Sequence, residues 1–461
     1  MLLGPNTPEV VQPWVDRIIA NAARVVAEKG LYVEREDVRR QLADVPEATV
    51  AGDRVRFTEA SFHDFLTQYR ALHPFTPPTQ FSFGTGAHAH SIVDLEGNLR
   101  PITLADIERG ARLVGALADW HIGGIAPGAP QDVPAPLRGL AQLIASAKHK
   151  PGSAAYATHE PRALPFIREC DAILGQSHGA GIHMVSPLRF EGQEVDEALA
   201  ARANNPEVSV GIGTMPIIGA STPASVLAAF TTALADIIGG ALIMLHTGTP
   251  PSRLGMSINA YPFDMRHGCF IYGTPSNAVC TLVERELNRL LGTEIPAKSF
   301  SVMVQHPGPQ ACALKGVFTG MMAAQGRRIF SAVGSLSLDE IHSPVQLIYD
   351  REIAGFVMRT EEMLAASLQE EMLLVEDILQ TPGDDFMSAD STLRHFRKLQ
   401  WDSDIFPTRM LAQWQGAGCP METDAAAAEV RRLLAGYEYE LPADQARALD
   451  EVYARAEKAL P

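Results

Sequence analysis

The sequence is poor in paired cysteines and in basic charge. Its cysteines are far apart and form no C-x-x-C pair, which argues against a disulfide framework and against a cysteine-rich zinc site; they are Cys170, Cys269, Cys280, Cys312 and Cys419. Lysine and arginine total 38 against 54 aspartates and glutamates, a net charge of −16, so binding of nucleic acid through a strong positive field is not expected. The pattern indicates a reduced, cytoplasmic protein.

Targeting and membrane-spanning segments are also lacking. The opening residues MLLGPNTPEV contain no basic stretch followed by an apolar run, so no secretory signal is expected. The longest apolar stretch, residues 223–247, is interrupted by Asp236 and by Gly239–Gly240. It is interpreted as a helix over 224–238 followed by a buried strand over 241–246, and not as a membrane span.

What is present is the composition of a folded globular protein, with 46% hydrophobic and 20% charged residues. Helical apolar spacing predicts helices over residues 10–29, 35–42 and 58–69. After about residue 84, short apolar runs alternate with helix-like segments. These predicted strands are 91–95, 121–125, 153–157, 182–185, 208–213, 241–246, 300–304 and 328–333.

Eight such strands alternating with helices predict a (β/α)₈ TIM-type barrel with helical N-terminal and C-terminal extensions. A doubly wound sheet is the alternative architecture. The predicted organisation is a helical lead-in over 1–83, the barrel over 84–345 with an inserted loop over 249–276, and a helical extension over 346–461 packed on the barrel.

Histidines and glycines are frequent at the predicted strand ends, where a barrel carries its active site. No G-x-x-x-x-G-K-[ST] motif occurs, and Gly84 and Gly86 do not form a full G-x-G-x-x-G, so phosphate binding is not supported. His88 and His90, with His246, His306 or Cys269, leave open a zinc site of the kind that activates water or a thiol. Histidines that bind a ligand or pack in the core are the favoured interpretation, and no metal is expected.

The inserted loop combines aromatic side chains with charges. Tyr261, Phe263, Phe270 and Tyr272 stand near Asp264, Arg253, Arg266 and His267. Aromatic ring faces attract alkylated ammonium groups, and an arginine can hold a carboxylate of the same ligand. A loop whose aromatic rings only pack together is the alternative.

Ordered segments along nearly the whole sequence resemble the trimethylamine methyltransferase family. The segments are GTGAHAHSIVDLEGNLRPITLADIERGARLVGAL from residue 84, SPLRF at 186–190, GTMPIIGAST at 213–222, YGTPSNAV at 272–279, SPVQLIYDREI at 343–353 and TLRHFRK at 392–398. The resemblance implies transfer of a methyl group from a methylated amine to the cobalt of a separate corrinoid protein. Founding members carry pyrrolysine near the end of the seventh strand, whereas residues 299–309 here are ordinary amino acids. The resemblance is therefore to the non-pyrrolysine branch, similar to glycine betaine methyltransferases, and implies a quaternary amine as substrate.

The resemblance also suggests roles for particular residues, although it identifies no catalytic residue. Cage candidates for the ammonium group are Tyr156, Tyr261, Phe263 and Tyr272, and Asp264 is expected to face the cation. His183, Gln305 and His306 are expected at the other end of the substrate. A corrinoid is expected to enter the barrel mouth face-on, near Gly84, Gly86, Gly213 and Met215. The cobalamin is expected on the partner protein, because this sequence has no D-x-H-x-x-G motif to supply a lower cobalt ligand. A homo-oligomer is expected. The competing hypotheses are a zinc-dependent methyltransferase and a non-catalytic betaine-binding barrel.

Overall fold

The computed structural model describes residues 7–152, 154, 160–177, 179–381, 383, 385–403 and 405–460. The helices are α1 Thr7–Glu28, α2 Glu36–Ala43, α3 Glu59–Leu72, α4 Leu104–Ala116, α5 Arg138–His149, α6 Leu164–Leu174, α7 Gln193–Asn204, α8 Val226–His246, α9 Pro275–Leu290, α10 Pro309–Ala324, α11 Pro344–Ser367, α12 Val375–Gln380, α13 Asp390–His395, α14 Leu411–Gly416, α15 Glu422–Gly436 and α16 Ala443–Ala459. The strands are β1 Leu31–Val33, β2 Ala48–Ala51, β3 Arg54–Phe57, β4 Ser82–Thr85, β5 Ser91–Val93, β6 Leu99–Pro101, β7 Ile122–Gly123, β8 Ala180–Met184, β9 Arg189–Phe190, β10 Val210–Thr214, β11 Ile217–Ile218, β12 Leu254–Ile258, β13 Tyr261–Asp264, β14 Cys269–Phe270, β15 Ile329–Val333, β16 Ser335–Leu336 and β17 Ile341–His342.

Two parallel three-stranded sheets form the frame of the fold. One has the strand order β8–β10–β12, with β10 in the middle. Its register pairs Ile212 of β10 with Ile182 on one side and with Met256 on the other. The other has the order β15–β4–β7, and Ala297 adds a parallel bridge to Phe330 of β15. A mixed α/β protein with parallel strands is therefore confirmed, and closure of these strands into a barrel stays a prediction.

Four of the predicted strands are confirmed by overlap with β7, β8, β10 and β15. The prediction at 91–95 is correct as a strand but wrong as the first strand of the parallel series. That place is taken by β4, while β5 joins a separate sheet of order β16–β17–β5–β6. Residues 300–304 form no strand. The pairing with β15 in this part of the chain is made just before them, by the bridge of Ala297 to Phe330. The predicted strand at 153–157 lies outside the described residues except for Ala154.

The predicted strand at 241–246 is wrong, because these residues are the last turns of α8. Gly239 and Gly240 do not end the helix; they allow close packing on its neighbours. A Cβ atom on Gly239 would lie 2.3 Å from Leu31, and one on Gly240 would lie 2.8 Å from the sulfur of Met184. The strand in this part of the chain is β12, inside the segment that was predicted as an inserted loop.

Helix α8 is long and apolar enough to cross a membrane by length and composition alone. However, 72% of its most apolar window is buried inside the protein. It packs against α1, β10 and β12 in the largest hydrophobic cluster of the described residues. Its one carboxylate, Asp236, is fully buried and hydrogen-bonded. These features are those of a core helix.

The terminal segments pack on the same frame. Helices α1, α2 and α3 and the antiparallel strands β1–β3 share the cluster that contains α8. At the other end of the chain, α15 packs on α4 and α11. Leu449, Val452 and Ala456 of α16 are buried in a cluster with residues of α5 and α6. Helix α16 lies within the segment over 346–461 that was predicted to be helical.

Candidate active site

The two faces of the β8–β10–β12 sheet have opposite character. One face carries large apolar side chains into the core, namely Ile182, Met184, Ile212, Met256 and Ile258. The other face carries glycines and two polar residues in register, namely Gly181, Gly211, Gly255, His183, Gly213 and Ser257. This second face lines a cavity of about 980 Å³. Because alternate residues of a strand point to opposite faces, the alternation of glycine with β-formers opens this cavity.

His183, Gly213 and Ser257 form one row across the three strands. A Cβ atom on Gly213 would lie 3.7 Å from His183 Nδ1 and 3.6 Å from Ser257 Oγ. The backbone N–H of His183 donates to Glu194 Oε2 of α7 at 2.6 Å. The missing side chain of Gly213 therefore leaves a gap between two hydrogen-bonding groups on the cavity wall.

The charged lining of the cavity is mainly acidic. Among the residues that the structure describes, Asp171, Glu194, Glu197 and Glu294 line it, together with the basic residue Arg168. Glu294 also faces Arg327, whose Nη1 lies 3.8 Å from its Oε1. An excess of carboxylates around a concave surface favours a cationic ligand over an anionic one.

Asp236 of α8 anchors the ends of β8 and β10. Its Oδ1 accepts from the backbone N–H of Leu188 at 2.6 Å, and its Oδ2 accepts from the Thr214 hydroxyl at 2.9 Å. Burial raises the pKa of this carboxyl to about 7, although the hydrogen bonds from Leu188 and Thr214 oppose the shift. This network fixes the loop that follows His183 and the strand end next to Gly213.

An aromatic cluster, defined here as Tyr261, Phe270 and Tyr272, follows β12. The ring of Tyr261 lies 5.1 Å from that of Tyr272 and 5.7 Å from that of Phe270, and Phe270 and Tyr272 are 5.5 Å apart. Tyr261 is 3% exposed and Tyr272 is 2% exposed. The two tyrosines are thus brought together as the sequence predicts, but their rings pack mainly against protein.

Lys298 brings a cation to this aromatic cluster. Its Nζ lies 5.2 Å from the ring centre of Tyr272 and 5.9 Å from that of Tyr261. The ammonium donates to the Tyr272 hydroxyl at 3.0 Å and lies 3.6 Å from Asp339 Oδ2. Burial alone would lower the pKa of Lys298, but Tyr272 and Asp339 outweigh that effect and the pKa is raised. The amine is therefore charged at neutral pH.

Phe263 and Asp264 lie on β13 beside the aromatic cluster. Phe263 is half-buried and pairs with Phe270 across the β13–β14 hairpin. Asp264 accepts hydrogen bonds from Arg266 at 2.7 Å and from His267 at 3.1 Å within the hairpin turn. Its contacts are therefore with the turn, and the Arg266 guanidinium holds the pKa of this carboxyl well below its usual range.

Gln305 and His306 are exposed after the segment that follows Lys298. Gln305 donates to the carbonyl of Met303 at 2.7 Å. Neither is among the residues that line the cavity of His183. Tyr156 lies outside the described residues.

The glycines expected near a corrinoid differ in their surroundings. Gly213 lines the cavity, and half-buried Met215 follows it just beyond β10. A Cβ atom on Gly84 would lie 3.6 Å from the carbonyl oxygen of Phe330, an ordinary contact. On Gly86 it would lie 1.7 Å from Ser335 Oγ. The group that approaches Gly86 closely is thus the Ser335 side chain of this protein.

The histidines considered for zinc are not brought together. Among the described residues, no group of three or more His, Cys, Asp or Glu side chains could hold a metal ion. His90 Nδ1 is 3.0 Å from Ser91 Oγ. His246 ends α8 and stacks on Phe57 at 5.8 Å. Its predicted place at the end of a strand is therefore wrong.

Sequence reasoning missed Ser257, Glu194, Lys298 and Asp339. Ser257 was assigned to the inserted loop because β12 was not predicted. Lys298 stands between the small residues Ala297 and Ser299 just before an apolar run, which is the one sequence signal that could have singled it out.

A parallel α/β scaffold with a glycine-lined, acidic cavity at its strands is typical of enzymes that bind small molecules. The family model described as trimethylamine methyltransferase (MTTB) matches residues 6–461, so the chain belongs to the MTTB family and is a methyltransferase. A relative, the glycine betaine methyltransferase of Desulfitobacterium hafniense (strain Y51), is 25% identical in an alignment over 426 residues that covers 86% of this chain and 86% of the relative. The family resemblance inferred from the sequence is thereby confirmed.

Proposed function

We propose that this protein transfers a methyl group from a betaine-like quaternary amine to the cobalt of a separate corrinoid protein in the cytoplasm. The observation that carries the proposal is the family match over residues 6–461. The relative named glycine betaine methyltransferase supports the substrate class. The acidic lining of the cavity supports a cationic ligand independently of both.

The chemistry of a quaternary amine suits this site. Loss of a methyl group from a quaternary ammonium leaves a neutral amine, so the leaving group needs no proton from a general acid. The protein has only to bind the ammonium, orient one N–CH₃ bond and exclude water. Catalysis therefore requires no nucleophilic side chain from the cavity.

The proposed substrate contacts come from both parts of the site. His183 lines the cavity directly, and Tyr261 and Tyr272 form the wall behind Lys298. Phe263, Asp264, Gln305, His306 and Tyr156 remain candidates from sequence alone. Glu194 lines the cavity beside His183 and is a further candidate for the cation, whereas Asp264 is paired with Arg266.

The corrinoid would be bound and carried by the partner protein, and it would supply the acceptor for the methyl group. The residues present fit such an approach at Gly213, where a large side chain would fill the gap between His183 and Ser257. Gly84 and Met215 are proposed at the same edge. Gly86 is proposed there as well, although Ser335 fills the space beside it.

We also propose that the parallel strands close into a (β/α)₈ barrel. The sheets β8–β10–β12 and β15–β4–β7 supply six parallel strands, and the bridge of Ala297 to Phe330 extends the second sheet past β15. In such a barrel the C-terminal strand ends, including Thr214 and Ile258, would face one mouth.

The experiment is an assay of the purified protein with free cob(I)alamin and a panel of glycine betaine, proline betaine, carnitine, choline and trimethylamine. Formation of methylcobalamin from a quaternary amine is expected, with no formation from trimethylamine. Binding of a betaine by calorimetry without any methyl transfer would instead support the non-catalytic betaine-binding protein. Loss of activity on removal of a bound metal would support the zinc-dependent alternative.

A further inference from the structure

The side chain of Lys298 points away from the protein core, whereas its two neighbours in the chain are buried. The N–H of Ala297 donates to the carbonyl of Ile329 at 2.9 Å, which fixes the backbone beside β15. Ala297 and Ser299 are buried, and Ser299 Oγ lies 2.8 Å from the Thr319 hydroxyl. Because side chains alternate along an extended segment, Lys298 points away from that core. About a third of its side chain, 35%, remains exposed.

The ammonium of Lys298 has capacity for a further partner. It carries three hydrogens, and among the described residues the Tyr272 hydroxyl, at 3.0 Å, is the acceptor within hydrogen-bonding distance. Asp339 Oδ2 lies at 3.6 Å, beyond a hydrogen bond, while Asp339 Oδ1 accepts from Ser301 at 2.5 Å. The pair is thus close enough to attract but leaves the amine incompletely bonded.

The turn that carries Asp339 is conformationally unusual. Ser337, Leu338 and Asp339 have φ angles of 47°, 70° and 142°, values that non-glycine residues rarely adopt. The N–H groups of Ser337 and Leu338 donate to the carbonyls of Val304 and Val302 at 2.8 and 2.9 Å. Strained backbone of this kind is concentrated at functional sites, where a side chain must be held in one place.

We infer that Lys298 binds the carboxylate of a zwitterionic quaternary amine and is a specificity-determining residue of this enzyme. The inference rests on the proposed function for the class of substrate. A substrate that has only a positive charge, such as choline, is repelled by the ammonium. A substrate that also has a carboxylate gains a charge-assisted hydrogen bond there.

The test compares Lys298→Met with Lys148→Met, a control in which the lost amine pairs with Asp450 at the surface. Calorimetry measures binding of glycine betaine and choline to each folded variant. We expect wild-type protein and the control to prefer glycine betaine. Lys298→Met should weaken glycine betaine binding about 10- to 100-fold and leave choline binding unchanged or tighter.

Lys298→Arg, which keeps the positive charge, should retain most of the preference. If Lys298→Met fails to fold, the comparison of glycine betaine with choline on the wild-type protein still tests the inference. Unchanged binding of glycine betaine to Lys298→Met would overturn the inference, as would equal affinity of the wild-type protein for both ligands. Failure of the proposed function is separate: it would appear as no methylcobalamin formed by the wild-type protein, whatever the binding results.

Discussion

Nδ1 of His183 lies 3.7 Å from the position that a Cβ atom on Gly213 would occupy, and Ser257 Oγ lies 3.6 Å from it. These are ordinary van der Waals distances, so Gly213→Ala should fold normally. Gly213→Leu would fill the gap on the cavity wall. We expect methyl transfer to fall less than about 10-fold in the alanine variant and more than about 100-fold in the leucine variant, since a small misplacement of substrate is costly.

Thermal melting should show both Gly213 variants to be as stable as the wild-type protein, because the added atoms enter a cavity and not the core. Wild-type activity in Gly213→Leu would show that the reaction takes place elsewhere in the molecule.

The free energy of unfolding should depend on pH through Asp236. The folded pKa is about 7, against an ordinary value of 3.8 for aspartate. Between these two pH values the folded protein keeps the Asp236 proton, whereas the unfolded protein has lost it. The stabilisation is complete below the unfolded pKa and is lost as pH rises through 7. Relative to Asp236→Asn, the wild-type free energy of unfolding should fall by about 3 kcal/mol from pH 5 to pH 8.

Urea denaturation of both proteins across this pH range measures the difference. Asparagine can still accept from the Leu188 N–H, so the comparison measures the effect of ionising Asp236 and not the loss of that hydrogen bond. A difference that does not change with pH would show that Asp236 titrates normally.

Lys315 and Asp350 form a fully buried ion pair at 2.7 Å. Asp350 also accepts from the N–H of Gly334 and the amide of Gln346, both at 2.7 Å. Lys315→Met leaves a buried carboxylate without its cation and should lower the free energy of unfolding by about 3–5 kcal/mol. The double variant with Asp350→Asn should recover a large part of that loss. If Lys315→Met matched the wild-type protein in denaturation, the pair would be without importance for the fold.

Tyr272→Phe removes the hydroxyl that accepts from Lys298 and keeps the ring that lies beside Tyr261. Packing is preserved, so the melting temperature should change little. Because the Lys298 ammonium is then less restrained, the variant should bind glycine betaine about 3- to 10-fold more weakly. This loss is smaller than the free energy of a full hydrogen bond to a charged group. Calorimetry measures this, and tighter binding would indicate that Tyr272 competes with the substrate for Lys298.

Much of the frame was predictable because apolar residues recur at helical spacing in many helices and alternate with other residues in strands such as β10. The alternation at Gly211–Ile212–Gly213 predicts a strand with one apolar face, and β10 confirms it. Helix α8 was divided wrongly because a run that is apolar on all sides has no helical or strand period. What settles its structure is the packing of Gly239 on Leu31, a contact about 208 residues apart in sequence that no local pattern reveals.

The site was predictable only in part. Tyr261 and Tyr272 were singled out because aromatic residues cluster in one segment, and the structure brings their rings within 5.1 Å. Asp264 was expected near a bound cation, but the nearby Arg266 offered a local partner that a short turn satisfies. Lys298 reaches the ring of Tyr272 from 26 residues further along the chain, so its position beside the ring depends on tertiary structure.

The most direct measurement is single-turnover methyl transfer from glycine betaine labelled with ¹³C in its methyl groups, with stoichiometric cob(I)alamin as acceptor. Mass spectrometry then follows the label in both products. The account predicts one labelled methyl group on the cobalamin for each molecule of dimethylglycine formed, with no added metal. Dimethylglycine formed without labelled methylcobalamin, or no conversion of any quaternary amine that binds, would contradict it.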